Sequence, residues 1–301
     1  MSDPQLTTAM PGLAGVTHRW LDVRGLLMHV VEAGSGEPVL LLHGFPQNWW
    51  EWHGVIPRLA EQYHVIAVDQ RGAGWTDAPR VGYDARSLVE DIVLLIEELD
   101  LGRVRIIAHD WGAIVAQLLA LDRPDLVEAL VVLSCPDLHV RPDASILRLV
   151  PKIWFDVPLA TAGVGVWAMA WGKQRIVRML LKHFEPPRGL SGADIDLYLA
   201  RLRDPGRARA GSALYRDFIM PAFMRLVAGR FADEPFAVPM LVMIGENDPS
   251  AALQRMGYRS GLPARTFVEV LPGEGHFIVD HRPDVVAQRA ADFFRTEKNG
   301  A

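Results

Sequence analysis

The sequence predicts a parallel α/β core with a helical domain inserted in it. Short, unbroken apolar runs recur with helical stretches between them. That is the pattern of parallel strands covered on both faces. The alternation stops near Pro136 and gives way to a stretch rich in Trp, Met and Arg with helical character. It resumes at P-M-L-V-M-I-G, so one core is interrupted rather than followed by a second.

In chain order, T-H-R-W-L-D-V and L-M-H-V-V-E-A read as an opening antiparallel pair. P-V-L-L-L-H, H-V-I-A-V-D, V-R-I-I-A-H and A-L-V-V-L-S read as buried strands, because they are apolar without alternation. Residues 87–100 and 111–121 carry apolar side chains at helical spacing. P-M-L-V-M-I-G and T-F-V-E-V-L-P-G complete the strands, and 283–296 forms the last helix. The expected division is a core of residues 1–136 and 232–301 and a helical cap of residues 137–231.

Composition narrows the function. The chain has 301 residues, half of them apolar and 22% charged, enough for a large core and against disorder. A net charge of −5 gives no basic footprint for nucleic acid. Cys135 is the single cysteine and lies in an apolar strand, so no disulfide framework or thiolate metal cluster is expected. The opening M-S-D-P-Q-L-T-T-A-M lacks a basic region followed by an apolar core, and a cytoplasmic location is the default expectation. The uncharged run between Asp156 and Lys173 is too short to span a bilayer, holds Pro158, and reads as buried cap structure. No membrane span, phosphate loop or dinucleotide fingerprint is expected.

Four short patterns follow predicted strands: His43-Gly44-Phe45-Pro46, Ala108-His109-Asp110-Trp111-Gly112, Gly245-Glu246-Asn247-Asp248 and Gly275-His276-Phe277. In the second, Asp110 stands at a sharp strand-to-helix turn flanked by small residues, the setting of a strained nucleophile elbow. A carboxylate suits displacement at saturated carbon better than attack on an acyl group. Asp110 also suits a helix N-cap, and Asp248 a turn former before Pro249. Glu246 and Asp280 are acids near enough in sequence to compete with Asp248.

Taken together these patterns resemble the α/β-hydrolase fold, and more narrowly its epoxide hydrolase branch. The resemblance covers nearly the whole chain, including D-Q-R-G-A-G-W-T-D at 69–77. Ala108 departs from it by one methyl, where the family usually has glycine. The resemblance implies that Asp110 attacks an epoxide carbon, that His276 with Asp248 activates water against the resulting ester, and that the Phe45 and Trp111 N–H groups form an oxyanion hole. It makes Tyr215 a donor to the departing oxygen. It sets His43, Pro46, Trp154, Phe155, Tyr198 and Phe277 around a small apolar epoxide. A second donor phenol is missing, because no tyrosine lies between Tyr83 and Tyr198.

Haloalkane dehalogenases share the fold and triad, and would use Trp111 with Trp154, Trp167 or Trp171 as halide donors. A non-catalytic relative kept as a receptor or scaffold is a third reading, weakened because all three triad residues are present. No cofactor or metal is implied, and the assembly expected is a monomer or homodimer.

Overall fold

The computed structural model describes residues 9–141, 143, 154–183, 190–255 and 265–299. Eight strands form one sheet in the order β1-β2-β4-β3-β5-β6-β7-β8. They are β1 Thr17–Val23, β2 Leu26–Ala33, β3 Glu37–Leu42, β4 Tyr63–Val68, β5 Val104–His109, β6 Val127–Leu133, β7 Met240–Gly245 and β8 Thr266–Leu271. The β1–β2 and β2–β4 pairings are antiparallel, and every other pairing is parallel.

The unbroken apolar runs are explained by two cores, one on each face. Successive side chains of a strand point to opposite faces. Leu40 and Leu42 of β3 therefore join one apolar cluster, and Val39 and Leu41 the other. Strands β5, β6 and β7 divide their residues in the same way. The first face is covered by α2 (Ala85–Glu98) and α3 (Asp110–Asp122). The second is covered by a 3-10 turn at Trp49–Trp52, the short α1 (Ile56–Leu59) and α12 (Pro283–Asn299). Helix α2 starts two residues earlier than its apolar spacing predicts, because the Asp84 carboxylate accepts the Ser87 N–H as an N-cap.

Between β6 and β7 the chain is helical among the described residues, and we call these segments the cap. They are α4 (Asp156–Ala160), α5 (Val164–Ala170), α6 (Arg175–His183), α7 (Gly192–Leu202), α8 (Pro205–Leu214) and α9 (Met220–Val227). A π-helical turn, Tyr215–Ile219, joins α8 to α9. Buried cap residues such as Leu159, Met169, Tyr215 and Phe218 belong to the same apolar cluster as α2 and α3. Cap and core thus share one apolar cluster, with polar contacts such as those of Arg201 and Arg207 to the Gly74 carbonyl beside it. Two short helices, α10 (Pro249–Gln254) and α11 (Ile278–His281), follow the ends of β7 and β8. No helix among the described residues is long and apolar enough to cross a membrane.

Candidate active site

Strand β5 is buried along its length and hands over to α3 at Asp110. Asp110 sits at φ +52°. Holding a non-glycine residue there costs about 1–3 kcal/mol, so the surroundings must impose it. Two glycines make the turn possible. A Cβ on Gly112 would stand 2.5 Å from the His43 carbonyl oxygen, and one on Gly44 would stand 2.8 Å from the Asp110 Cβ. Only glycine at these positions lets α3 and the loop after β3 close on the elbow.

That loop carries the first pattern. The Phe45 N–H donates to Asp110 Oδ2 at 3.0 Å, and the Phe45–Pro46 peptide is cis. His43 holds the loop rather than facing the main cavity. Its Nδ1 donates to the Gly44 carbonyl at 2.7 Å and its Nε2 accepts the Gln70 N–H at 3.2 Å. His43, Pro46 and the Trp111 ring border a narrow separate crevice under α7 and α8.

His276 stands in the loop between β8 and α11 and is buried. Its Nδ1 lies 2.9 Å from Asp248 Oδ2, and its Nε2 lies 3.9 Å from Asp110 Oδ1. Asp248 is the N-cap of α10, and its other oxygen accepts the Ser250 N–H at 2.8 Å. Burial alone would raise the Asp248 carboxyl, but His276 and Ser250 outweigh it and hold the group below its ordinary value. Glu246 and Asp280 do not take this place. Glu246 accepts the Gly273 N–H, and Asp280 is buried beside Glu51, with its pKa driven well up by burial and by that carboxylate.

A second layer fixes the His276 backbone. Its carbonyl accepts from Ser134 Oγ at 2.6 Å and from His109 Nε2 at 3.0 Å. His109 Nδ1 lies 2.6 Å from Glu51 Oε1 in a fully buried pair. Burial alone would lower the His109 pKa, but Glu51 outweighs it and lifts the value to about 9. His109 is then an imidazolium, paired with the Glu51 carboxylate and donating from Nε2 to the His276 carbonyl. Glu51 and Ser134 lie in none of the four short patterns, and His109 lies in one without a role of its own. Their roles depend on three distant segments meeting, which no local spacing reports.

Asp110, Asp248, His276, Tyr215, Phe45, Phe155 and Phe277 line one cavity of about 180 Å³, otherwise mostly apolar. Tyr215 opens the π turn and packs edge-to-face on Phe45 with centroids 5.1 Å apart. Burial first, then the charges of Asp156 and Asp110, push its hydroxyl well above the usual phenol range. It is therefore a neutral donor at any ordinary pH. Tyr198 is fully buried, responds to Asp280 and Glu51, and does not line the cavity. Trp154 is 48% exposed and stands outside it as well. Asp156 lines the cavity although the sequence patterns did not mark it.

A family model described as the alpha/beta hydrolase fold matches residues 37–283. The chain belongs to the α/β-hydrolase family. Within that family it lies on the epoxide hydrolase branch and is a hydrolase. It is 43% identical over 316 residues to epoxide hydrolase 1 of Siraitia grosvenorii, covering 93% of this chain and 98% of the relative. It is 32% identical over 293 residues to the soluble epoxide hydrolase of Corynebacterium sp. (strain C12), covering 93% and 97%. Among solved structures, Cfl2 from Burkholderia cenocepacia superposes with a TM-score of 0.80 at 28% identity, covering 97% and 98%. Potato epoxide hydrolase I superposes with a TM-score of 0.77 at 27% identity, covering 93% and 99%. In this α/β-hydrolase Asp110, Asp248 and His276 follow the carboxyl ends of β5, β7 and β8.

Proposed function

We propose that this α/β-hydrolase opens a small apolar epoxide to a vicinal diol through a covalent ester on Asp110. The observation that carries this is one cavity holding a carboxylate elbow, a His–Asp pair and a buried phenol. Asp110 Oδ1 attacks an epoxide carbon while Oδ2 stays on the Phe45 N–H. Tyr215 donates to the departing oxygen, which is too basic to leave unassisted near neutral pH. The ester carbonyl then lies in the oxyanion hole, with the Trp111 N–H as second donor. Removing one such donor costs about 3–4 kcal/mol in other hydrolytic enzymes.

Hydrolysis needs a base beside the ester. The 3.9 Å between His276 Nε2 and Asp110 Oδ1 is too long for a hydrogen bond. It is short enough for a water held by Nε2 to reach the carboxyl carbon. Asp248 fixes the His276 tautomer and stabilises the imidazolium as it forms. The apolar walls, with Phe155 and Phe277 among them, set the substrate class.

The dehalogenase reading loses its donors. Among the described residues no indole N–H lines the cavity. Trp154, Trp167 and Trp171 are 48%, 63% and 52% exposed, on the outside of the cap. The discriminating experiment is incubation with styrene oxide and, separately, with 1-bromobutane. Diol without bromide supports the proposal. Bromide without diol overturns it.

A further inference from the structure

Epoxide opening leaves negative charge on oxygen, and Tyr215 is one donor to it. The cap supplies no second phenol to the cavity. It supplies a carboxyl instead. Asp156, in the first turn of α4, shares the cavity wall with Asp110, Tyr215 and His276. Most of the remaining wall is apolar, Phe155, Leu180 and Ile219 among it.

We propose that Asp156 is a second acid for ring opening, its carboxyl donating to the departing oxygen beside Tyr215. This role rests on the epoxide reading above. A carboxyl can donate only when neutral, and the surroundings of Asp156 favour that form. Burial first, then the negative charge of Asp110, raise its pKa to about 7. Among the described residues no cation opposes this. Helix α5 carries no titratable side chain. On α8, Arg207 is spent on the Gly74 and Thr76 carbonyls and Arg209 is exposed. In the π turn, Arg216 is paired with Asp217, and Tyr215 is neutral. A donor whose pKa lies near the working pH is also the more effective general acid, better matched than a phenol.

The protons balance. Asp110 forms a C–O bond to the epoxide carbon, the ring C–O bond breaks, and the freed oxygen takes the Asp156 proton. Asp156 is left as a carboxylate. In hydrolysis His276 takes one proton from water, and the hydroxide adds to the ester carbon. The diol oxygen leaves with the proton returned by His276. Asp110 is released as a carboxylic acid bearing the remaining water proton, and that proton restores Asp156.

The test uses a His276→Gln background, in which the ester accumulates and ring opening is read alone. The parent, Asp156→Asn and Asp156→Ala are mixed with styrene oxide, quenched, and the Asp110 adduct is followed by mass spectrometry across pH. The parent rate should fall as pH rises through about 7. Both Asp156 variants should be slower by roughly 10²–10⁴ and should lack that falling limb. Variants that alkylate at the parent rate, or that keep the limb, overturn the role of Asp156 alone. A parent that forms no adduct defeats the epoxide reading and this role with it. Infrared difference spectra guard against a fold artefact. The folded parent should show a protonated-carboxyl band near pH 6 that Asp156→Asn removes, and its absence from the parent overturns the proposal.

Discussion

At the residue scale the site divides one carboxylate between two tasks. Asp110 Oδ2 is already committed to the Phe45 N–H, and Oδ1 faces the cavity and His276. Asp110→Asn keeps the shape and loses the nucleophile, so turnover should fall by about 10⁴ or more in product assays. Tyr215→Phe removes a donor but not the ring packed on Phe45. It should slow ester formation by on the order of 10² and leave hydrolysis of a preformed ester unchanged, a split that single-turnover kinetics reads directly. Asp110, Asp248 and His276 each lie in one of the four short patterns, and the fold brings them to one cavity, whereas Tyr215 came to notice only through the family resemblance. Asp156 was not legible. Nothing local distinguishes it from a helix-starting aspartate, and its chemistry comes from burial against a charge far away in the chain.

At the element scale the elbow depends on support from beneath. The Glu51–His109 pair joins the 3-10 turn after β3 to the end of β5, and His109 in turn holds the His276 carbonyl. Removing one partner of a buried pair typically costs about 3–5 kcal/mol. Glu51→Gln should therefore lower the melting temperature and also slow turnover, by loosening the His276 loop. The pair has a pH signature. The His109 pKa is raised from 6.5 to about 9 in the folded protein. The stability it contributes is complete below pH 6.5 and is lost as pH rises through about 9. At about 1.4 kcal/mol per pH unit it amounts to about 3 kcal/mol. Melting temperatures between pH 6.5 and 9 should decline in the parent and be flatter in Glu51→Gln. The turn at Gly112 is equally strict. Gly112→Ala places a methyl against the Leu42 and His43 carbonyls, and the push of α3 off β3 should cost about 1–3 kcal/mol and most activity. The sequence pattern showed that a small residue was wanted here. The backbone it must clear belongs to β3 and the loop after it, and only the tertiary structure shows that.

At the scale of the whole molecule, the sheet was readable because its central strands are buried on both faces, so their apolar runs lack alternation. The inserted cap was readable from the break in β–α rhythm. The inward and outward faces of the cap were not. Trp154, Trp167 and Trp171 lie outside, whereas Phe155, Asp156 and Tyr215 turn in. Replacing the three exposed tryptophans by glutamine should change diol formation by no more than about twofold, as surface changes usually do. The cap closes one apolar cluster with the core around the cavity, and the covalent ester proposed to form there is the central claim. It is tested most directly by mixing the His276→Gln variant with styrene oxide and locating the mass increase by peptide mapping. The account predicts one equivalent of substrate on the peptide that carries Asp110, accumulating without release of diol. Diol formed at the parent rate with no adduct on that peptide would contradict it.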